Sequence, residues 1–330
     1  MTEKNVISLD QHGGAIALDR RAGAPAPAHR AAPSRRVWFP TDHSIGTLYV
    51  RERRAAAGSC ESPFDPSTWD ETGPARGPVA VPGYKEMGLK VAYESSDDLS
   101  AVAALDPDAL QAISLARTRA TDDTLEAISA LRLLDLSLAG TGVGDDGMSH
   151  LEGMSSLQTL DLWGTLVSDE GLARLRGLKG LRMLDLWGTR VTDAGLSHLD
   201  GMEKLTRLYV PGPRVTSAGL SHIGRCRSLR ALDLSGAHVG DDGLSVLSTI
   251  QSLEVLYLWD SEISDDGVAH LRDLPSLVEV DLGRNPITDA GLLHLASVPS
   301  LQRVHLWDTD VSREGLDALR REAPRLFTYM

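Results

Sequence analysis

"LDLWGT" stands at residues 160–165 and again, letter for letter, at 184–189. Leucines alternating with Asp and Trp describe half of a β-strand, yet each Trp shares the side of the Asp and opposes the leucines. The 24-residue separation explains the recurrence, because the motif repeats along the chain. Aligned on their first leucine, copies begin at Leu133, Leu157, Leu181, Leu205, Leu229, Leu253, Leu277 and Leu301, every step being 24 residues. A looser copy of 23 residues starts at Leu110, and Leu326 opens a truncated tenth. The common pattern is LxxLDLxGTxVTDxGLxxLxxLxx. A fixed period in this range marks a solenoid, in which no repeat buries its own apolar face and stacked neighbours share one continuous core.

Two periodicities coexist inside each copy. Leu157, Leu160 and Leu162 put a short strand's leucines on one side, and Leu172, Leu175 and Leu178, spaced by three, suit one face of a short helix. Between them sits a helix-start signal, Ser or Thr followed by Asp, as in Ser168-Asp169 and Thr192-Asp193. The adjacent glycine (Gly171 or Gly195, for example) costs ~1 kcal/mol against Ala inside a helix. Its recurrence predicts close backbone packing of the helix on its strand. Strand, turn and helix in every repeat predict an α/β solenoid with a curved parallel sheet inside and helices outside.

At these residues the chain resembles the leucine-rich repeat family, most of all the ribonuclease-inhibitor-like class and the 24-residue bacterial repeats called GALA-type. The resemblance covers roughly residues 88–330 and implies a horseshoe fold and, as a family tendency, protein–protein binding on the concave face. It implies no reaction. GALA effectors carry an F-box, and no F-box-like leucine pattern precedes these repeats, which argues against a ubiquitin-ligase adaptor.

The N-terminal third has a different composition. Residues 1–36, with APAPAHRAAPSRR, are rich in Ala, Pro and Arg and read as a disordered basic tail. Residues 37–87 read as a small β-rich domain, with strands in SIGTLYVRER (44–53) and GPVAVPG (77–83) around a loop rich in Pro, Ser and Asp. Residues 88–109 mimic a degenerate repeat, with Leu89 and Val91 as strand positions and Leu99, Val102 and Leu105 as helix positions. Solenoids need atypical ends to cover an open core, so an N-terminal cap is expected here. Residues 110–330 then hold nine repeats and the truncated tenth.

Composition narrows the function classes. The net charge is −13, which argues against nucleic acid and anionic membranes as partners. No apolar run approaches the ~20 residues of a membrane helix. The start lacks the charged and apolar segments of a secretory signal, and two cysteines, Cys60 and Cys226, fit a reducing compartment, so a cytoplasmic location is expected. Gly142-Val-Gly144-Asp-Asp-Gly147 matches GxGxxG, but Gly147 is the ordinary repeat glycine and no dinucleotide-binding unit surrounds it. Asp260 to Ser264 resembles a calcium loop with its glycine misplaced. His150, His198, His222, His270 and His294 recur at one repeat position, but helices of adjacent repeats stand ~10 Å apart, too far to share a zinc ion. No metal, cofactor or catalytic group is expected.

The positions alternating with the inward leucines are more informative. The fifth position reads Ser114, Ser137, Asp161, Asp185, Tyr209, Asp233, Tyr257, Asp281 and His305; the seventh carries Trp163, Trp187, Trp259 and Trp307. Four of the six tryptophans thus share one column. A row of indoles on a sheet face is costly unless something covers it, and Trp is the residue most enriched at binding hot spots. The expected function is non-enzymatic recognition of a protein with a basic surface. Its binding face comprises Asp161, Trp163, Asp185, Trp187, Tyr209, Asp233, Tyr257, Trp259, Asp281, His305 and Trp307. The alternatives are a regulatory or targeting subunit of an enzyme, and a secreted effector that mimics host repeat proteins. In the fifth repeat Pro211 and Pro213 interrupt the pattern and Ser217 replaces the usual Asp.

Overall fold

The structure, a computed structural model, describes residues 34–52, 69–210 and 212–330. Most of the segment read as a tail, the loop rich in Pro, Ser and Asp, and Pro211 lie outside the described residues. The chain enters in β1 (Arg35–Trp38), so Arg35 and Arg36, read as the end of the tail, are already strand. Then come β2 (Gly46–Glu52), β3 (Asp70–Pro74), β4 (Pro78–Val81) and β5 (Lys85–Val91). The repeats supply β6 (Ala112–Ser114), β7 (Asp135–Ser137), β8 (Thr159–Asp161), β9 (Met183–Asp185), β10 (Arg207–Tyr209), β11 (Ala231–Asp233), β12 (Val255–Tyr257), β13 (Glu279–Asp281), β14 (Arg303–His305) and β15 (Phe327–Tyr329).

Thirteen strands form one sheet in the order β15 back to β5, then β2 and β3. From β5 to β15 the pairing is parallel with no register shift, so each repeat position forms a column across the sheet. At the N-terminal end β2 runs antiparallel to both β5 and β3, while β1 and β4 form a separate antiparallel pair. Val37, Phe39, Ile45, Leu48 and Met87 belong to the same buried cluster as Leu110, Ile113 and the repeat leucines. The β-rich segment is therefore the cap of the solenoid's core. Strand β3 had no counterpart in the sequence reading. At the other end β15 keeps the 24-residue step from β14 (Arg303 to Phe327), so Arg325, not Leu326, stands in register with Leu301.

On the outer side each repeat has a short helix, such as Asp169–Arg174 and Asp193–Leu196. Ser168, Thr192, Ser264, Thr288 and Ser312 cap these helices with their hydroxyls. The following Asp does something the sequence reading missed. Asp169 Oδ1 accepts the Thr192 backbone N–H at 2.7 Å, and Oδ2 accepts the Thr192 hydroxyl at 2.6 Å. The same pair of bonds joins Asp145 to Ser168, Asp193 to Thr216, Asp241 to Ser264, Asp265 to Thr288 and Asp289 to Ser312. This ladder also corrects the reading of the recurrent glycine. A Cβ at Gly195 would run into the Asp169 carboxylate, and one at Gly315 into that of Asp289. The glycine makes room for the preceding repeat's carboxylate rather than for the helix against its own strand. Ser217 cannot supply that carboxylate, and beside Gly243 the close neighbours are apolar groups of Leu220 and Val239.

Candidate functional site

The concave side is built from positions three, five and seven of each repeat. At the eighth position the backbone turns left-handed: Gly140, Gly164, Gly188 and Gly236 have φ of 64° to 71°. This geometry accounts for the Gly of the consensus. In other copies the same turn is made by Arg117, Asp260, Arg284 and Asp308, with φ between 54° and 58°. The ninth-position hydroxyls of Thr118, Thr141, Thr165, Thr189 and Thr309 donate to the carbonyl three residues back, which pins the turn. Asn285 takes this place in its repeat and bonds both its own turn and the backbone of Ser261 and Ile263.

Against these turns Trp163 and Trp187 stack with ring centroids 5.5 Å apart and planes 20° from parallel. Trp187 remains 45% exposed, so the pair presents a broad apolar surface. The Arg117 guanidinium extends the stack, 5.6 Å from the Trp163 ring. A Cβ at Gly140 would lie 3.5 Å from the Arg117 chain and 3.6 Å from the Trp163 ring. Both are ordinary contacts, so glycine there answers to the left-handed backbone, φ 64°, and not to the arginine. Trp259 and Trp307 do not form a second pair: Gly283 lies between them, with the Trp259 ring packed close against it. Trp259 instead receives Arg284 at 5.2 Å, and Trp307 is 51% exposed. Neither arginine figured in the sequence reading of the site. Their signal was a non-glycine residue at the left-handed position.

The carboxylates of the fifth position do not solvate the face. Asp161 Oδ1 accepts the Trp163 backbone N–H at 3.0 Å and Oδ2 accepts the Ser137 hydroxyl at 2.8 Å. Asp185, Asp233 and Asp281 likewise accept the N–H of Trp187, Ser235 and Gly283. Each Asp thus closes the end of its own strand and fixes the start of the turn that follows, which carries a tryptophan after Asp161 and Asp185. Burial pushes all four carboxyls above the usual range, and Asp185 rises to about 8 through its burial first and then through Asp161 beside it in register. The face is consequently less anionic at neutral pH than the count of Asp residues implies.

Toward the C-terminal end the site is tightly bonded. Glu279 accepts from Arg303 at 2.7 Å and from the Tyr257 hydroxyl at 3.2 Å, and lies 3.1 Å from His305 Nε2. Burial alone would raise its pKa, but the bonds from His305 and Arg303 outweigh that and hold it low. The Tyr257 hydroxyl is pushed up by burial and then by Glu279, and the His305 ring stacks on Tyr329 at 4.5 Å. His305 is thus a buried packing residue rather than an exposed contact. Toward the cap, Arg51 bridges Glu86 and Asp135 at 2.8 and 2.7 Å while lying over the Trp69 ring. Among the described residues no three His, Cys, Asp or Glu side chains are grouped to hold a metal ion, and no helix is long and apolar enough to cross a membrane.

The family model described as "Leucine Rich repeat" matches residues 225–248 and 273–296. No curated protein matches the chain. Among solved structures, TLR13 in its complex with ssRNA13 is similar at 18% identity and a TM-score of 0.52, over 73% of this chain and 35% of TLR13. An internalin (InlF) of Listeria monocytogenes str. 4b F2365 is similar at 16% identity and a TM-score of 0.45, over 70% of this chain and 75% of its own. The chain thus spans about a third of the TLR13 chain. Eight copies in one register and the family model's matches over two of the repeats show the leucine-rich-repeat fold, which this chain shares with TLR13.

Proposed function

We propose that the chain is a non-enzymatic recognition protein that binds a protein partner across its concave face. The observation that carries this reading is the exposed Trp163–Trp187 stack, held by structural hydrogen bonds on a repeat scaffold that has no use for surface indoles. Trp163 and Trp187 anchor the partner, and Tyr209, Tyr257, Trp259 and Trp307 extend the contact along the face. A basic partner suits this surface. Lys or Arg side chains lay their charge over an indole face and draw the proton from the Asp161–Asp185 pair. Asp233 and Asp281 supply further carboxyls, and His305 supports the wall from beneath. The RNA named in the TLR13 complex is not carried over, because a chain of net charge −13 repels a phosphate backbone. Affinity purification from the native source tests the reading, comparing the wild-type chain with Trp163→Ala, Trp187→Ala. The expected result is loss of one prominent protein from the double variant. Equal capture by both chains, or turnover of a small molecule by the purified chain, would overturn it.

A further inference from the structure

Strand β10 stands midway along the repeat sheet and carries two side chains whose bonding is incomplete. Arg207 is 5% exposed and is flanked in register by Met183 and Ala231, neither of which offers an oxygen acceptor. Among the described residues no carboxylate lies within ion-pair distance of it. The contrast with the other arginines of this face is sharp, since Arg51 has Glu86 and Asp135 and Arg303 has Glu279. Two residues on, the Tyr209 hydroxyl is buried without a well-formed hydrogen bond, its polar neighbour being the Arg207 guanidinium. Burial pushes that hydroxyl up to about 12, and the guanidinium of Arg207 beside it opposes the shift. Ala231 and Val255, with Tyr209 and Tyr257 packed on them, form an apolar floor next to the pair.

A guanidinium held almost wholly inside without a counter-charge is unfavourable, and a buried hydroxyl with only a weak bond adds to the cost. Both defects are cured at once by an anion that accepts from both groups. We propose that Arg207 and Tyr209 form a binding site for a single carboxylate, presented by the partner at the centre of the concave face. The planar N–H pair of the guanidinium and one phenolic O–H match the two oxygens of a carboxylate. One positive charge balances one negative charge. A doubly charged phosphate would leave one negative charge uncompensated in a nearly buried site. The partner is therefore a basic surface with one acidic group set into its middle. That partner role rests on the recognition reading above, whereas the site itself is tested on the chain alone.

The test is the melting temperature of the full chain in sodium acetate against sodium chloride at equal ionic strength, with sodium phosphate as a third arm. Acetate at ten times its dissociation constant should raise Tm by about 2 °C. The rise should vanish in Arg207→Met and shrink in Tyr209→Phe, which keeps the ring and its packing. In chloride, Arg207→Met should melt above the wild type, because an unpaired buried charge has been replaced by an apolar chain. An equal acetate shift in wild type and Arg207→Met, or no shift in either, overturns the site. Phosphate raising Tm more than acetate overturns the carboxylate assignment. None of these results bears on the tryptophan anchor, which the capture experiment reads separately.

Discussion

Asp185 shows how one residue serves the backbone and the site together. Its Oδ1 holds the Trp187 N–H at 2.8 Å, and burial, then the neighbouring Asp161, pushes its carboxyl up to about 8. In the unfolded chain the same group titrates near ~3.9. A raised folded-state pKa means that the proton stabilises the fold, fully below about pH 4 and progressively less as pH rises toward 8. Asp185→Asn keeps the acceptor oxygen and removes the ionisation. It should match the wild type at pH 4 and exceed it by about 1 kcal/mol or more at pH 8. Urea midpoints taken across that range check this, and parallel pH profiles would contradict it. The sequence placed Asp161 and Asp185 side by side but not their depth. It gave them the role of surface charges because a repeat pattern says which face a residue points to, not how far its neighbours close over it.

The repeat is held to its neighbour by one carboxylate and the glycine that admits it. Asp169 makes both its bonds to Thr192, and Gly195 leaves the space its carboxylate fills. Asp169→Ala should cost about 1–2 kcal/mol through the lost bonds. Gly195→Ala should cost about 1–3 kcal/mol by overpacking. The double variant should be less destabilised than the sum, because the atom that clashes with the new Cβ is gone. Denaturant unfolding of the four chains measures this, and strict additivity would show that the glycine serves something else. The helix caps were legible, since a cap is local. The Asp ladder was not, because its acceptor and donor lie 23 residues apart and only stacking brings them together. At Arg117 and Arg284 the departure from Gly was visible, but its meaning depends on the indole that each guanidinium reaches.

Across the molecule, the period alone dictated the parallel sheet, because nine steps of 24 residues and one of 23 each return the chain to the same register. The cap was harder to read. Its strands β2 and β3 join the sheet antiparallel, and β3, DETGP, has no apolar alternation to announce it. Removal of residues 1–105 should uncover Leu110, Ile113 and Leu115, all fully buried, and the fragment should aggregate; light scattering reads this, and a soluble, cooperatively unfolding 106–330 fragment would contradict a shared core. The recognition proposed for the concave face would draw on the whole curve, with the tryptophan pair on one flank of Arg207 and Trp259 and Trp307 on the other. The most direct test of that account is calorimetric titration of the captured partner into the wild-type chain and into Trp187→Ala at several salt concentrations. Trp187→Ala should weaken binding by about 2 kcal/mol without altering the fold, and affinity should fall as salt rises. Equal affinities for the two chains, unchanged by salt, would contradict it.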